Sequence, residues 1–211
     1  MTTDLALYRR VYGKLLDCMA RVGTRILLIE LGDSNPDIEM PVLPSGYTTK
    51  QLKPSDLMAW TTPEYGLSES FLIQAQARGD RCVANFFQNE LVGYGFVTQS
   101  YAPVTDQTAV KIDERLLYRY KGWTHPAHRR NHLSHARGRI NSRLFPKQQG
   151  QHMVSYVEVQ NFPSRLKHAD VHPVCLGYSM ILRVFGKEYL FNSPIAKRYG
   201  FQLVPRTDQL A

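Results

Sequence analysis

Cysteine is scarce in this chain of 211 residues, with three in all, Cys18, Cys82 and Cys175. They are odd in number and widely separated, and no Cys-x-x-Cys occurs, which argues against a disulfide framework and against a zinc knuckle. Bland buried thiols are the simpler expectation. Long apolar runs are missing too. The longest candidate, Ile26-Leu27-Leu28-Ile29, no longer than Leu5–Tyr8 or Leu57–Trp60, is followed at once by Glu30, far short of the roughly 18–20 residues a membrane-spanning helix requires. The first residues, Met-Thr-Thr-Asp, lack the basic-then-apolar pattern of a secretory signal. A cytoplasmic protein is therefore expected. No internal repeat and no low-complexity tract interrupts the chain. Hydrophobic residues at 43% and charged residues at 21% make an ordinary globular mix, so disorder, collagen and coiled coil fit poorly. Acidic residues are in deficit, 18 against 26 basic ones, for a formal charge of +8. That balance favours a polyanionic partner: nucleic acid, a lipid headgroup or a phosphorylated cofactor.

What is present reads as alternating helices and strands. Leu5, Tyr8, Tyr12, Leu15, Leu16 and Met19 recur at helical spacing over 4–20. A strand is expected over 25–31, and the Pro- and Gly-bearing stretch 32–45 reads as a linker. Residues 1–45 are thus taken as an N-terminal helical extension, and 46–211 as the ligand-binding domain. Within that domain the expected order begins with a strand over 46–53, a helix opened by Pro54-Ser55-Asp56, and a helix over 68–78 behind Ser68. A hairpin follows, 81–88 with 91–99 around Asn89-Glu90. Residues 100–113 are polar and read as a loop. Further on come a strand over 115–124, a basic helix over about 131–144, a strand over 152–160, a helix after Pro163, and a second hairpin around Gly186-Lys187. Such an order implies an α/β fold with a mixed sheet.

The segment His125-Pro126-Ala127-His128-Arg129-Arg130-Asn131-His132-Leu133-Ser134-His135 carries the chemistry. It joins a strand to a helix. A turn that enters a helix presents backbone N–H groups and the positive end of the helix dipole, which suits a phosphate or pyrophosphate. Arg129 and Arg130 add charge-assisted hydrogen bonding. His128, His132 and His135 have metal-ligand spacing on a helix, but part of the segment precedes the helix and the arginines would repel a cation, so no metal is expected. The basic run Arg129, Arg130, Arg137, Arg139, Arg143 and Lys147 reads as a solvated face. It has no interleaved aromatics on which bases could stack, which disfavours nucleic acid.

Here the sequence resembles the GCN5-related N-acetyltransferase (GNAT) superfamily. That family's signature is a strand, then Val-x-Pro-x-x-Arg, then Arg/Gln-x-x-Gly-x-Gly/Ala into a helix. This chain has Thr124-His125-Pro126-Ala127-His128-Arg129, and Arg129-Arg130-Asn131-His132-Leu133-Ser134 over the turn. Both glycine positions are occupied, by His132 and Ser134. The Val92-Gly93-Tyr94 hairpin lies upstream. Asn161-Phe162-Pro163-Ser164 is similar to the family's Asn-x-x-Ser/Ala, and Gly177-Tyr178 to the Gly-Phe of its last hairpin. The likeness runs over 46–204.

The resemblance implies a GNAT-like, mostly antiparallel central sheet flanked by helices. It implies acetyl-CoA or another acyl-CoA as co-substrate, and transfer of the acyl group, acetyl foremost, to an amine or hydroxyl of a small molecule or glycan. Cofactor contacts would come from Trp123, Thr124, Arg129, Arg130, Asn131, His132, Leu133, Ser134, His135, Asn161 and Ser164. Glu114 or Glu158 would take the acceptor's proton, and His168, which stands where the family places a tyrosine, would protonate the leaving thiolate. Asn161 and Ser164 could equally cap a helix. A homodimer is compatible with this reading. The alternative is a catalytically inactive GNAT-like module that binds an anionic ligand or nucleic acid at the same turn.

Overall fold

The computed structural model describes residues 13, 14, 18, 19, 21, 23–32, 39–144, 152–161, 164 and 174–206. The chain divides into two compact units. One draws on Met1–Gly32, Pro103–Lys111 and Ser155–Leu210, the other on Asp33–Ala102 and Ile112–Val154.

In the first unit, Gly13, Lys14, Cys18, Met19 and Arg21 are helical, in keeping with the periodicity of the N-terminal residues. Strand β1 (Thr24–Gly32) lies inside the stretch read as an extension. It pairs antiparallel with β9 (Val174–Val184), which pairs in turn with β10 (Lys187–Asn192). Leu27, Ile29, Leu176 and Ile181 are buried there. The second hairpin turns at Phe185-Gly186, one residue earlier than expected. Both turn residues have positive φ, 48° and 80°, the backbone twist that joins two strands tightly. The short helix α3 (Pro194–Arg198) begins behind Ser193, whose hydroxyl accepts the Ala196 N–H, and leads into β11 (Phe201–Pro205).

The second unit contains the expected nucleotide turn. Strands β2 (Tyr47–Leu52), β3 (Arg81–Phe87), β4 (Glu90–Thr98) and β7 (Leu116–Thr124) pair antiparallel in that order. Beside them β7 pairs parallel with the start of β8 (His152–Glu158), through Leu116↔His152 to Tyr118↔Val154. The sheet is therefore mixed and mostly antiparallel, as the sequence implied. The β3–β4 hairpin turns on Gln88-Asn89, not Asn89-Glu90. Both residues are left-handed, with φ of 49° and 73°, and Glu90 already belongs to β4.

The stretch 100–113 is a correction. It holds β5 (Tyr101–Pro103) and β6 (Thr108–Ile112). The polar tip Thr105-Asp106-Gln107 disguised it, yet Thr108, Ala109, Val110 and Ile112 are all buried. The helix opened by Pro54 is a 3-10 helix, Pro54–Trp60. Helix α1 (Glu69–Ala77) starts where Ser68 predicts, with the Ser68 hydroxyl accepting the Phe71 N–H at 3.2 Å.

Alternation along β4 sorts the layers. Tyr94 and Phe96 face α1, where Phe71 meets Phe96 edge-on at 5.0 Å. Gly93, Gly95 and Val97 face the other way, and Val97 joins Leu117 and Met153 in the core. Helix α2 (Leu133–Leu144) covers that second face through Leu133, Ala136 and Arg137.

Cys18 and Cys175 are exposed; of the three thiols expected to be buried only Cys82, in β3, is. Burial pushes its thiol up from 9.0 to about 12, against the lowering effects of a Gly95 backbone hydrogen bond and the Arg137 charge. Burial also raises Tyr94 and Tyr120. In the unfolded chain these groups ionise first, so stability is full below pH 9 and falls as pH climbs toward 12, by about 1.4 kcal/mol per pH unit for each group. Urea unfolding at about pH 8 and about pH 11 should show this loss, and Cys82→Ala should lose less than the natural chain. Equal losses in the two proteins would exclude the thiol as a contributor.

Candidate anion-binding turn

The turn is built from the end of β7. Register across β4 and β7 runs Phe96↔Tyr120, then Tyr94↔Trp123, so two β4 steps oppose three on β7. The extra residue forms a bulge at Lys121-Gly122, with Lys121 at φ 49°. A bulge reverses side-chain parity. Trp123 consequently shares a face with Tyr118 and Tyr120, stacks on Tyr94 at 5.5 Å, and meets Tyr65 edge-on. Thr124 faces α2 instead.

Beyond Thr124 the His125 N–H continues the ladder to the Val92 carbonyl at 2.9 Å. Pro126–His128 forms one 3-10 turn, closed by His128 N–H to the His125 carbonyl. The Arg129 guanidinium folds back to the Thr124 carbonyl at 3.4 Å. Arg130 and His132 then adopt left-handed φ values of 70° and 54°. The His132 carbonyl accepts the Ala136 N–H, and Leu133 opens α2 two residues later than the expected start. His132 thus holds, with a side chain, a backbone shape that glycine adopts without strain.

The sequence-derived residues fall into distinct roles. Arg129, Arg130, His132 and His135 are exposed at the turn, and Leu133 is buried beneath it. Asn131 is a brace. Its Nδ2 donates to the Tyr47 hydroxyl at 3.0 Å and to the His128 carbonyl at 3.3 Å. The Tyr47 hydroxyl meets His128 Nδ1 at 2.8 Å, and Phe87 lies against both rings. The first residue of β2 therefore fastens the turn, a contact no local pattern signals. Ser134 lies partly buried in the first turn of α2.

The remaining candidates are Glu114, Glu158, Asn161, Ser164 and His168. Glu114 is exposed in the turn before β7, at the end opposite Thr124, a strand length of roughly 30 Å. Glu158 has both oxygens engaged. Arg25 Nε donates to Oε1 at 3.0 Å, and Gln160 Nε2 bonds Oε2. Asn161 Oδ1 accepts the Ser164 N–H at 3.3 Å, the bond of a helix cap. His168 lies outside the described residues.

Arg137 corrects the reading of the basic run as a solvated face. It is 6% exposed. Its guanidinium bonds Asn85 Oδ1, and its Nη2 donates to Thr124 Oγ1 at 3.0 Å. Burial lowers it from 12.5 to about 10, which still leaves it charged at neutral pH. The sequence carries a signal for this burial. Leu133, Ala136 and Arg137 fall at i, i+3 and i+4, one inward helix face, while Gly93-x-Gly95 leaves bare backbone on the facing strand.

No protein-family model matches the chain, and no curated protein matches it. Solved structures match by fold. A Drosophila protein gives a TM-score of 0.52 at 15% identity, over 74% of this chain and 50% of that one. A functionally unknown conserved protein from Staphylococcus epidermidis gives 0.50 at 8% identity, over 79% and 64%. A tandem GNAT protein from the clavulanic acid biosynthesis pathway gives 0.49 at 12% identity, over 87% and 54%. The chain spans between half and two thirds of the length of these proteins. Identities of 15% and 8%, at TM-scores of 0.52 and 0.50, speak for shared architecture and nothing finer.

Replacing His132 with glycine should relieve the left-handed strain and raise stability by about 0.5–1 kcal/mol. Thermal denaturation reads this directly, and a lower melting temperature would refute the strain. The chain has a mixed, mostly antiparallel α/β fold, with its arginine-bearing turn braced between β2 and α2.

Proposed function

We propose that the turn Thr124–Leu133 seats the pyrophosphate of an acyl-CoA, and that the chain transfers the acyl group, acetyl foremost, to an amine or hydroxyl of a small molecule or glycan. The observation that carries this reading is the backbone of the turn. Left-handed Arg130 and His132 deliver the chain into α2, so the first helical N–H groups and the positive end of the dipole face the loop. Arg129 and Arg130 stand exposed beside them.

The bulge at Lys121-Gly122 supports the catalytic half of the proposal. A bulge leaves a main-chain group outside the regular ladder, and an N–H there or next to it polarises the thioester carbonyl. The acceptor nitrogen or oxygen attacks that carbon, its new bond forms, and the carbon–sulfur bond breaks. The acceptor's proton passes to water, because the Glu158 oxygens are engaged by Arg25 and Gln160 and Glu114 lies at the far end of β7. His168 is the proposed donor to the departing thiolate. Asn161 and Ser164, which form a helix cap between them, are proposed as cofactor contacts on the strength of the resemblance alone.

Reversing the charge at both exposed arginines, Arg129→Glu with Arg130→Glu, should raise the CoA dissociation constant about 100-fold. Calorimetry measures that constant, and free-thiol release from acetyl-CoA with a panel of amines measures turnover. Unchanged affinity would remove CoA from the turn. Binding without thiol release under any acceptor would favour a non-catalytic module.

A further inference from the structure

Arg137 differs from the exposed arginines of the turn by being sealed in. A guanidinium taken out of water is costly unless it is paired, so buried charges ordinarily meet a carboxylate or another anion. Among the described residues Arg137 has no such partner. Its hydrogen bonds end on the amide oxygen of Asn85 and the hydroxyl of Thr124, both neutral groups. Asn85 is itself fully buried and spends its Nδ2 on the Thr49 hydroxyl at 2.7 Å. The titratable groups whose charge Arg137 feels, Cys82 and Tyr94, are kept protonated by burial. The fold nonetheless makes room for the cation. A Cβ on Gly93 would collide with Nη1, and one on Gly95 would lie 3.7 Å from Nε. Two successive inward positions of β4 are bare where the guanidinium rests.

We infer that Arg137 is a positioning residue for an anionic ligand at the turn: a buried positive charge, one hydrogen bond behind Thr124, that no carboxylate among the described residues pairs with and that a bound pyrophosphate neutralises. This rests on the reading that the turn seats a pyrophosphate. Arg137 acts without touching the ligand. It fixes the Thr124 side chain at the mouth of the turn, and its field reaches further through protein than through water, because the intervening medium screens less. The exposed arginines then supply contacts, and Arg137 supplies the standing potential.

The test compares Arg137→Gln, which keeps hydrogen-bond donors and loses the charge, with Arg137→Lys, which keeps the charge and loses the planar fork. Inorganic pyrophosphate and CoA are titrated separately by calorimetry against each folded variant, with melting temperature as the control for folding. The expected result is a roughly ten-fold weaker binding of both ligands by Gln and a change within about three-fold for Lys. A purely structural clamp would give the reverse order, and that result overturns the inference. Equal pyrophosphate affinity in Arg137→Gln and the natural chain also overturns it, and leaves the CoA reading standing. Pyrophosphate binding that depends on Arg137, with CoA bound no tighter and no thiol released, supports this inference and sinks the acyl-CoA reading. If the natural chain binds neither ligand, both fall. Should Arg137→Gln fail to fold, the Lys variant decides: a folded protein that binds pyrophosphate ten-fold more weakly excludes the charge as the agent.

Discussion

One inserted residue in β7 organises the site. Strand geometry alternates side chains between two faces, so without the bulge at Lys121-Gly122 the residues Tyr120 and Trp123 would point oppositely. With it, Trp123 turns to the α1 side and stacks on Tyr94, while Thr124 turns to the α2 side and meets Arg137. The aromatic wall and the charged clamp are thus separated by a single change of parity. The helix that follows inherits its starting point from Thr124, and the turn between them is held to β2 by Tyr47.

The clamp inverts the usual arrangement of a helix against a sheet. Where an inward helix position normally carries an aliphatic side chain, α2 carries a guanidinium. The opposing strand answers with glycine instead of valine or isoleucine. Gly93 and Gly95 lower the strand propensity of β4, yet they are what lets the guanidinium lie on the backbone and reach Asn85 on one side and Thr124 on the other. Local preference and tertiary need disagree at these two positions. Such disagreement concentrates where a structure serves a purpose beyond its own stability.

Much of the framework is legible in the sequence. Apolar alternation marked β3 and β4, Ser68 marked the start of α1, and Pro126 with the arginines marked the turn. Hairpin ends are less legible, because the left-handed pairs Gln88-Asn89 and Phe185-Gly186 carry few glycines to announce themselves. The 100–113 stretch failed because a strongly polar tip outweighed the buried Thr108-Ala109-Val110 in the local pattern. Glu158 looked available in sequence, but its partner Arg25 lies 133 residues away, a separation no spacing rule can bridge.

By itself, the sequence determined the periodic elements, the helix caps and the place where a strand hands over to a basic helix, because each depends on residues a few positions apart. Only tertiary structure decided which of the arginines is buried, which carboxylates are already spoken for, and how Asn131 and His128 are braced. Those outcomes turn on contacts between distant residues, Arg25 with Glu158, Tyr47 with His128 and Asn131, and Arg137 with Asn85 and Thr124. Charge and hydrogen-bonding capacity can be read from a residue's identity. Whether water or protein meets them is settled only when the chain closes on itself.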